Sequence, residues 1–97
     1  MHIELITPEG MVWSGETVGV QVPGTKGPFE ILHNHAAIIS TLDEGRITVK
    51  QNDDAPLSFH TKRGVVEVLS NRITVLAEAI TPDPGNRPAT QPGSDPA

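Results

Sequence analysis

Apolar side chains alternate with polar ones along most of the first 80 residues. This period of two is typical of β-strands that bury one face, because successive side chains of a strand point to opposite sides. No stretch long enough for a helix shows the 3.6-residue period of a helical core. The clearest alternating runs are Ile3 with Leu5, then Val18, Val20 and Val22, and then Ile47 with Val49.

A β-hairpin is predicted around residue 70. Apolar residues alternate from Val66 to Val68 before the dipeptide Ser70-Asn71, and they alternate again from Ile73 to Ala77 after it. A short polar turn between two such runs indicates two antiparallel strands. Because the dipeptide is not the favoured Asn-Gly, the sequence leaves the type of turn open.

Turn-forming residues divide the chain at short, regular intervals, which is the spacing expected of an all-β domain. We therefore predict about eight to ten short strands that form a flattened β-sandwich or barrel, hydrophobic inside and polar outside. Trp13, the single tryptophan, is expected in its core. The turn segments are 8–10, 14–15, 23–27, 43–45, 52–56 and 63–64.

The composition changes sharply after Ile80. Residues 81–97 contain five of the nine prolines and no apolar side chain larger than alanine. Such a segment cannot bury enough surface to offset the entropy lost on ordering. The sequence thus predicts one folded domain over residues 1–80 and a disordered, proline-rich tail over residues 81–97.

Composition and charge exclude several classes of protein. The chain has 97 residues, a formal net charge of -5 and no cysteine. The negative charge disfavours a nucleic acid as partner, because binding to nucleic acid depends on clustered Lys and Arg. The lack of cysteine excludes disulfides, a thiol nucleophile and a cysteine zinc site. The first residues do not resemble a secretory signal, and no apolar run is long enough to cross a bilayer.

The segment from Gly24 to Ala36 is the most unusual part of the sequence, and it ends in a His-x-His pair. In an extended strand, His33 and His35 would project from the same face, as two imidazole ligands of a metal do. The spacing from Gly27 to these histidines matches the opening of the cupin metal motif. One alternative for this chain is therefore a small cupin-like, metal-dependent enzyme that uses His33, His35 and the isolated His60.

The rest of the segment does not continue the cupin motif. That motif needs a glutamate four or five residues after the second histidine, where Ile39 and Ser40 stand in this chain. The competing interpretation is that one histidine forms a hydrogen bond within the loop and the other is exposed. We expect no metal and no cofactor.

Other catalytic arrangements are not supported. Ser14 and Ser40 lack the Gly-x-Ser-x-Gly context of a nucleophile elbow. Asp53-Asp54 lies in a polar turn, where nothing suggests the burial that a catalytic carboxylate needs. Gly24 and Gly27 do not form a phosphate-binding loop, because the following Lys-Ser/Thr and helix are absent. We therefore predict a protein that is not an enzyme.

Residues 2–80 as a whole resemble the N-terminal β-sandwich of the epsilon subunit of the rotary F-type ATP synthase. The pattern Gly-x-Phe-x-Ile-Leu-x-Asn-His-Ala, with its flanking segments, is specific to that family. The residues that carry the resemblance are Ile3 to Gly10, Val12 to Gly15, Gly27 to Ala36, Thr41-Leu42 with Gly45, Gly64 to Val68 and Ile73 to Glu78.

The resemblance implies a rotor subunit in the central stalk, which links the gamma subunit to the c ring and couples proton or sodium translocation to ATP synthesis. The isolated chain would be a monomer, and the complex would hold it peripherally on the cytoplasmic face of the bacterial inner membrane. The loop implied to face the c ring consists of Gly24, Thr25, Lys26, Gly27, Pro28, Phe29 and Glu30. The residues implied to contact gamma are His33, Asn34, His35 and Ala36.

The chain departs from the family pattern in three ways. His33 and Ala37 stand where the family usually has proline, and Pro28 stands where many members have an acidic or polar residue. Without proline at positions 33 and 37, the loop loses two constraints on φ, so its conformation should depend more on its contacts with partners. After Ile80, the tail stands in place of the two helices of most members. We therefore expect no inhibition by helix insertion and no binding of ATP.

Overall fold

A computed structural model describes residues 1–86 of the chain. These residues form ten β-strands joined by turns and loops, which confirms the predicted all-β class and the predicted number of strands. The strands are β1 (His2–Thr7), β2 (Gly10–Glu16), β3 (Gly19–Val22), β4 (Phe29–Leu32), β5 (Ile38–Leu42), β6 (Gly45–Lys50), β7 (Leu57–Thr61), β8 (Gly64–Leu69), β9 (Arg72–Ala77) and β10 (Ile80–Pro82).

The strands form two five-stranded sheets that pack face to face as a sandwich. Sheet A has the order β2-β1-β9-β8-β5, and sheet B has the order β10-β7-β6-β3-β4. Neighbouring strands are antiparallel, except that β1 and β9 are parallel, with Ile3 opposite Ile73 and Leu5 opposite Val75. Period-two alternation predicts strands but not their neighbours, so this parallel pair could not be expected from the sequence.

The core lies between the two sheets and consists of the alternating apolar residues that the sequence pattern identified. Each fully buried Val, Leu or Ile contributes about 1.5–3 kcal/mol relative to an exposed one. The Trp13 ring packs against this cluster with its centroid 5.8 Å from that of Phe59. The fully buried members are Ile3, Leu5, Val20, Val22, Ile31, Leu42, Ile47, Val49, Val66, Val68, Ile73 and Val75.

The predicted hairpin around residue 70 is present. Strands β8 and β9 pair from Gly64 opposite Ala77 to Leu69 opposite Arg72. The connecting residues Ser70 and Asn71 have φ angles of 51° and 62°. Two successive left-handed residues are characteristic of a type I′ turn, which matches the twist of the strands it joins.

Two boundaries differ from the prediction. Val18 lies outside β3 and is exposed, because the chain bends there, with the buried Thr17 hydroxyl bonded to both the N–H and the carbonyl oxygen of Gly19. The ordered chain continues past Ile80 to residue 86, since Pro82 lies in β10 opposite Phe59 and the Asn86 side chain bonds the backbone of Ser58. The remainder of the predicted tail, residues 87–97, lies outside the described residues.

Candidate functional site

The loop between β3 and β4 is fastened to the edge of sheet A. Gly24 forms a bridge with Leu42, and the N–H of Thr25 donates to the carbonyl oxygen of Thr41 at 3.0 Å. The hydroxyl groups of Thr25 and Thr41 are 2.7 Å apart. Gly27 has a φ of 123°, which favours glycine. Residues 25–28 are exposed, so they are the part of the predicted c-ring loop that a partner can reach.

The last two residues of the predicted c-ring loop belong to strand β4 instead. Phe29 is partly buried and packs against the core. The Glu30 carboxylate lies 2.6 Å from the ammonium group of Lys50, on the outer face of sheet B. Both residues therefore support the loop, and its exposed tip is shorter than the sequence suggested.

The His-x-His pair lies in a turn rather than in a strand. Strand β4 ends at Leu32, and Asn34 adopts a left-handed φ of 65°. The N–H of His35 donates to the carbonyl oxygen of Leu32 at 3.1 Å, and its ring Nδ1 lies 2.8 Å from the carbonyl oxygen of Ala36. His33 is exposed. Because the turn interrupts the strand, the two imidazoles do not share a strand face, and the premise of the cupin alternative is wrong.

His60, the third residue of the cupin alternative, forms part of an exposed charge cluster. Its Nε2 lies 3.0 Å from the Glu44 carboxylate, and the Lys62 ammonium lies 3.2 Å from the same oxygen. The hydrogen bonds from His60 and then from Lys62 lower the pKa of Glu44 below its usual value. Among residues 1–86, no group of three or more potential ligands is placed to hold a metal ion. Nothing in this part of the chain supports the cupin alternative.

A contact between two distant turns closes one end of the sandwich. The N–H of Asn34 donates to Oδ1 of Asn71 at 2.7 Å, and Nδ2 of Asn71 donates to Oδ1 of Asn34 at 3.1 Å. Asn34 follows β4 of sheet B, whereas Asn71 lies in the β8–β9 turn of sheet A. The predicted gamma-contact residues 33–36 are thereby attached to the neighbouring sheet.

The outer face of sheet A carries an apolar surface, which we call the sheet A band and which sequence reasoning did not identify. Ile39 is 73% exposed, Leu69 55% and Leu76 47%. Ile6 lies opposite Leu76, and Leu76 lies opposite Val65, so these three side chains are neighbours across three strands. Ile39 and Leu69 lie beyond this row, with Glu67 and Thr74 between them and Leu76. Contiguous exposed apolar side chains such as the row of three are typical of a contact with another protein. The band consists of Ile6, Ile39, Val65, Leu69 and Leu76.

One signal in the sequence could have located the band. In the strands that carry the band, adjacent residues are both apolar, as in Leu5-Ile6, Ile38-Ile39 and Val75-Leu76. Adjacent residues of a strand face opposite sides of the sheet. A strand that is apolar on both faces has a second surface to cover. Alternation along one set of positions predicts the buried face of a strand but not this second apolar face.

An open groove of about 860 Å³ continues the sheet A band toward the β3–β4 loop. Ile6, Pro8 and Leu76 line its apolar part, while Arg63 and Glu78 provide charge. Thr25 also lines it, so the groove connects the band with the predicted c-ring loop.

Among residues 1–86 we find no helical segment with the length and hydropathy needed to span a bilayer.

Comparison with known sequences gives matches over nearly the whole sandwich. The family described as the ATP synthase delta/epsilon chain, β-sandwich domain, matches residues 1–83. The ATP synthase epsilon chain of Caulobacter vibrioides is 40% identical over 78 residues, which are 80% of this chain and 90% of that protein. The ATP synthase epsilon chain of Sulfurimonas denitrificans is 35% identical over 78 residues, and the match spans only 60% of its length.

Solved structures share the fold at low sequence identity. A chain in the Euglena gracilis mitochondrial ATP synthase (OSCP/F1/c-ring, rotational state 1) gives a TM-score of 0.77 at 13% identity, covering 82% of this chain and 51% of that one. A chain in the central stalk/c-ring structure of the Tetrahymena thermophila mitochondrial ATP synthase gives 0.69 at 15% identity, covering 82% and 64%. The two-sheet architecture is therefore one that these assemblies contain.

Proposed function

The chain belongs to the family of ATP synthase delta/epsilon chains, through their β-sandwich domain, and on that premise we propose that it is a non-catalytic rotor subunit of an F-type ATP synthase. In this role it links the gamma subunit to the c ring and is held peripherally at the cytoplasmic face of a bacterial inner membrane. The match of the family over residues 1–83 is the observation that carries the proposal.

The construction of the sandwich suits a part that transmits torque. The two sheets share one close-packed core, and packed interiors are stiff and transmit strain. The exposed loop 25–28 and the turn 33–36 lie at opposite ends of strand β4, which pairs with β3 along its whole length. A force applied at one end therefore reaches the other end through hydrogen-bonded strands.

We assign the gamma contact to the sheet A band together with residues 33–36. The band presents three exposed aliphatic side chains, on β5, β8 and β9, and the partly buried Ile6 and Val65 beside Leu76; covering them by a partner would remove apolar surface from water. The turn 33–36 lies at one end of the same sheet, because Asn34 bonds Asn71 there. The opposite end, with residues 25–28, is left to meet the c ring.

Copurification of the chain with gamma from the same organism tests this assignment. We expect a stable complex with the wild type and a loss of affinity of about 10-fold or more for Leu76→Asp, since a buried Leu contributes about 1.5–3 kcal/mol. The matched control is Thr48→Asp, because Thr48 lies on the outer face of sheet B, between Gln21 and Ser58 and away from the turn 33–36. This control should bind as the wild type does.

Two results would count against the proposal. If the folded wild type does not bind gamma, the assignment to the rotor is wrong. If Thr48→Asp and Leu76→Asp weaken binding equally, gamma does not distinguish the two faces, and the assignment to the sheet A band is wrong. Circular dichroism of each variant establishes that a loss of binding does not come from unfolding.

A further inference from the structure

We infer that Asn71, in the turn between β8 and β9, is a positioning residue that holds the turn 33–36 in the conformation that meets gamma. The inference rests on the proposed function. It assigns a binding role to a hairpin turn that is not itself among the predicted contact residues. The observation behind it is the reciprocal pair of hydrogen bonds that joins Asn34 to Asn71.

The geometry makes Asn71 complementary to the backbone of the turn as well as to a side chain. Its Oδ1 accepts from the N–H of Asn34 at 2.7 Å, and its Nδ2 donates to Oδ1 of Asn34 at 3.1 Å. A side-chain amide carries both a donor and an acceptor, so it can form this two-point contact. Neither serine nor aspartate at position 71 offers the same pair of groups.

The turn that presents Asn71 is itself held in place. The carbonyl oxygen of Asn71 accepts from the N–H of His2 at 3.1 Å, which attaches the turn to strand β1. Leu69 pairs with Arg72 on either side of the turn. Asn71 is thus part of a framework formed by three strands of sheet A, and it offers a fixed point to the loop that arrives from sheet B.

The loop that receives this contact has few other constraints. Residues 33–37 connect β4 to β5 and contain no proline, so no ring fixes φ. Asn34 has a φ of 65°, a conformation that non-glycine residues adopt infrequently and that asparagine tolerates best. A left-handed residue persists where surrounding contacts hold it. Asn71 supplies two such contacts.

Three variants separate the amide of Asn71 from the backbone of its turn. Asn71→Gly keeps the left-handed conformation but removes both hydrogen bonds. Asn71→Asp keeps the acceptor for the N–H of Asn34 but loses the donor. Ser70→Gly is the matched control, because Ser70 is the other left-handed residue of the turn, with a φ of 51°, and takes no part in the contact with Asn34.

The experiment measures hydrogen exchange at the Asn34 amide in the free protein and the dissociation constant for gamma. We expect Asn71→Gly to speed exchange at Asn34 about 10-fold or more and to weaken gamma binding about 10-fold. Asn71→Asp should retain protection at Asn34 and bind with intermediate affinity. Ser70→Gly should match the wild type in both measurements. A thermal melt of each variant shows whether the sandwich is folded at the temperature of the assay.

The inference is overturned if Asn71→Gly binds gamma as tightly as the wild type, whether or not exchange at Asn34 speeds up. It is also overturned if Ser70→Gly weakens binding as much as Asn71→Gly does, because the turn backbone and not the amide would then matter. Its failure differs from failure of the proposed function, in which the wild type itself does not bind gamma.

Discussion

The outer faces of the two sheets differ although their inner faces are alike. The outer face of sheet A carries the exposed Ile39, Leu69 and Leu76. The outer face of sheet B is mostly polar, with Thr48 opposite Ser58 and the Glu30–Lys50 ion pair, and Leu32 at one end is its one strongly exposed aliphatic side chain among the described strand residues. Both sheets must be apolar on the inner face to form the core, so this difference in the number of exposed aliphatic side chains is not required by folding and concerns the outer surface alone.

The largest effect that we predict concerns two glycines that each begin a strand, Gly64 in β8 of sheet A and Gly45 in β6 of sheet B. A Cβ at Gly64 would collide with the backbone of β9, including Ala77 Cα at 2.7 Å, whereas one at Gly45 would meet the Pro23 ring at 2.9 Å. The backbone of β9 is held by the hydrogen bonds of the sheet and has less room to move than the half-buried Pro23 ring. Gly64→Ala should therefore destabilise by about 1–3 kcal/mol, and Gly45→Ala by less.

Urea denaturation of both variants measures the difference, and a thermal melt should show about 4–8 °C for each kcal/mol. Equal loss in the two variants would show that sheet A is no more closely packed at its strand ends than sheet B. In that case, the two sheets would differ only in the chemistry of their outer faces.

A smaller effect is expected from making the outer face of sheet A resemble that of sheet B. In the triple variant Ile39→Lys, Leu69→Lys and Leu76→Lys, the sheet A band loses its three most exposed side chains. Fluorescence of a dye that binds apolar surface should fall several-fold in the isolated chain. The midpoint of unfolding should change little, because surface substitutions usually alter stability by no more than about 0.5 kcal/mol each. A large loss of stability would show that the band belongs to the core.

The smallest effect concerns the charge cluster of Glu44, His60 and Lys62. Hydrogen bonds from His60 and Lys62 hold the pKa of Glu44 below its ordinary value of 4.5. A carboxyl whose pKa is lowered on folding stabilises the fold above that ordinary value, and the contribution is lost as the pH falls below it. Glu44→Gln should slightly flatten the loss of stability on acidification below pH 4.5, as followed by urea midpoints. Because the cluster is exposed, the change should be small.

The sequence predicted the core well because burial on one side leaves a period of two. Ile3, Leu5, Val66 and Val75 followed directly from that alternation, as did the hairpin at Ser70-Asn71. The order of the strands did not follow from it, since alternation says nothing about which strands are neighbours. Only the resemblance to a known family could supply that order.

Predicting the candidate site was harder than predicting the core. The sequence predicts the loop at Gly24, but Phe29 and Glu30 are strand residues, because β4 begins before the loop pattern ends. The strand also ends at Leu32, before the His-x-His pair that the sequence placed at its end. The contact between Asn34 and Asn71 joins residues 37 positions apart. No local pattern encodes such a pair. It becomes visible only when sheet order brings the two turns together.

The parallel pairing of β1 with β9 bears on how the chain is made. Strand β1 can complete its ladder only after residues 72–76 are available, near the end of the sandwich. A nascent chain that emerges from the ribosome therefore exposes one side of its first strand until most of the domain has been synthesised. Pairing between such distant segments closes a large loop and slows folding. When β9 pairs with β1, the first strand of the sandwich is joined to one of its last, so the two ends of the domain fold together.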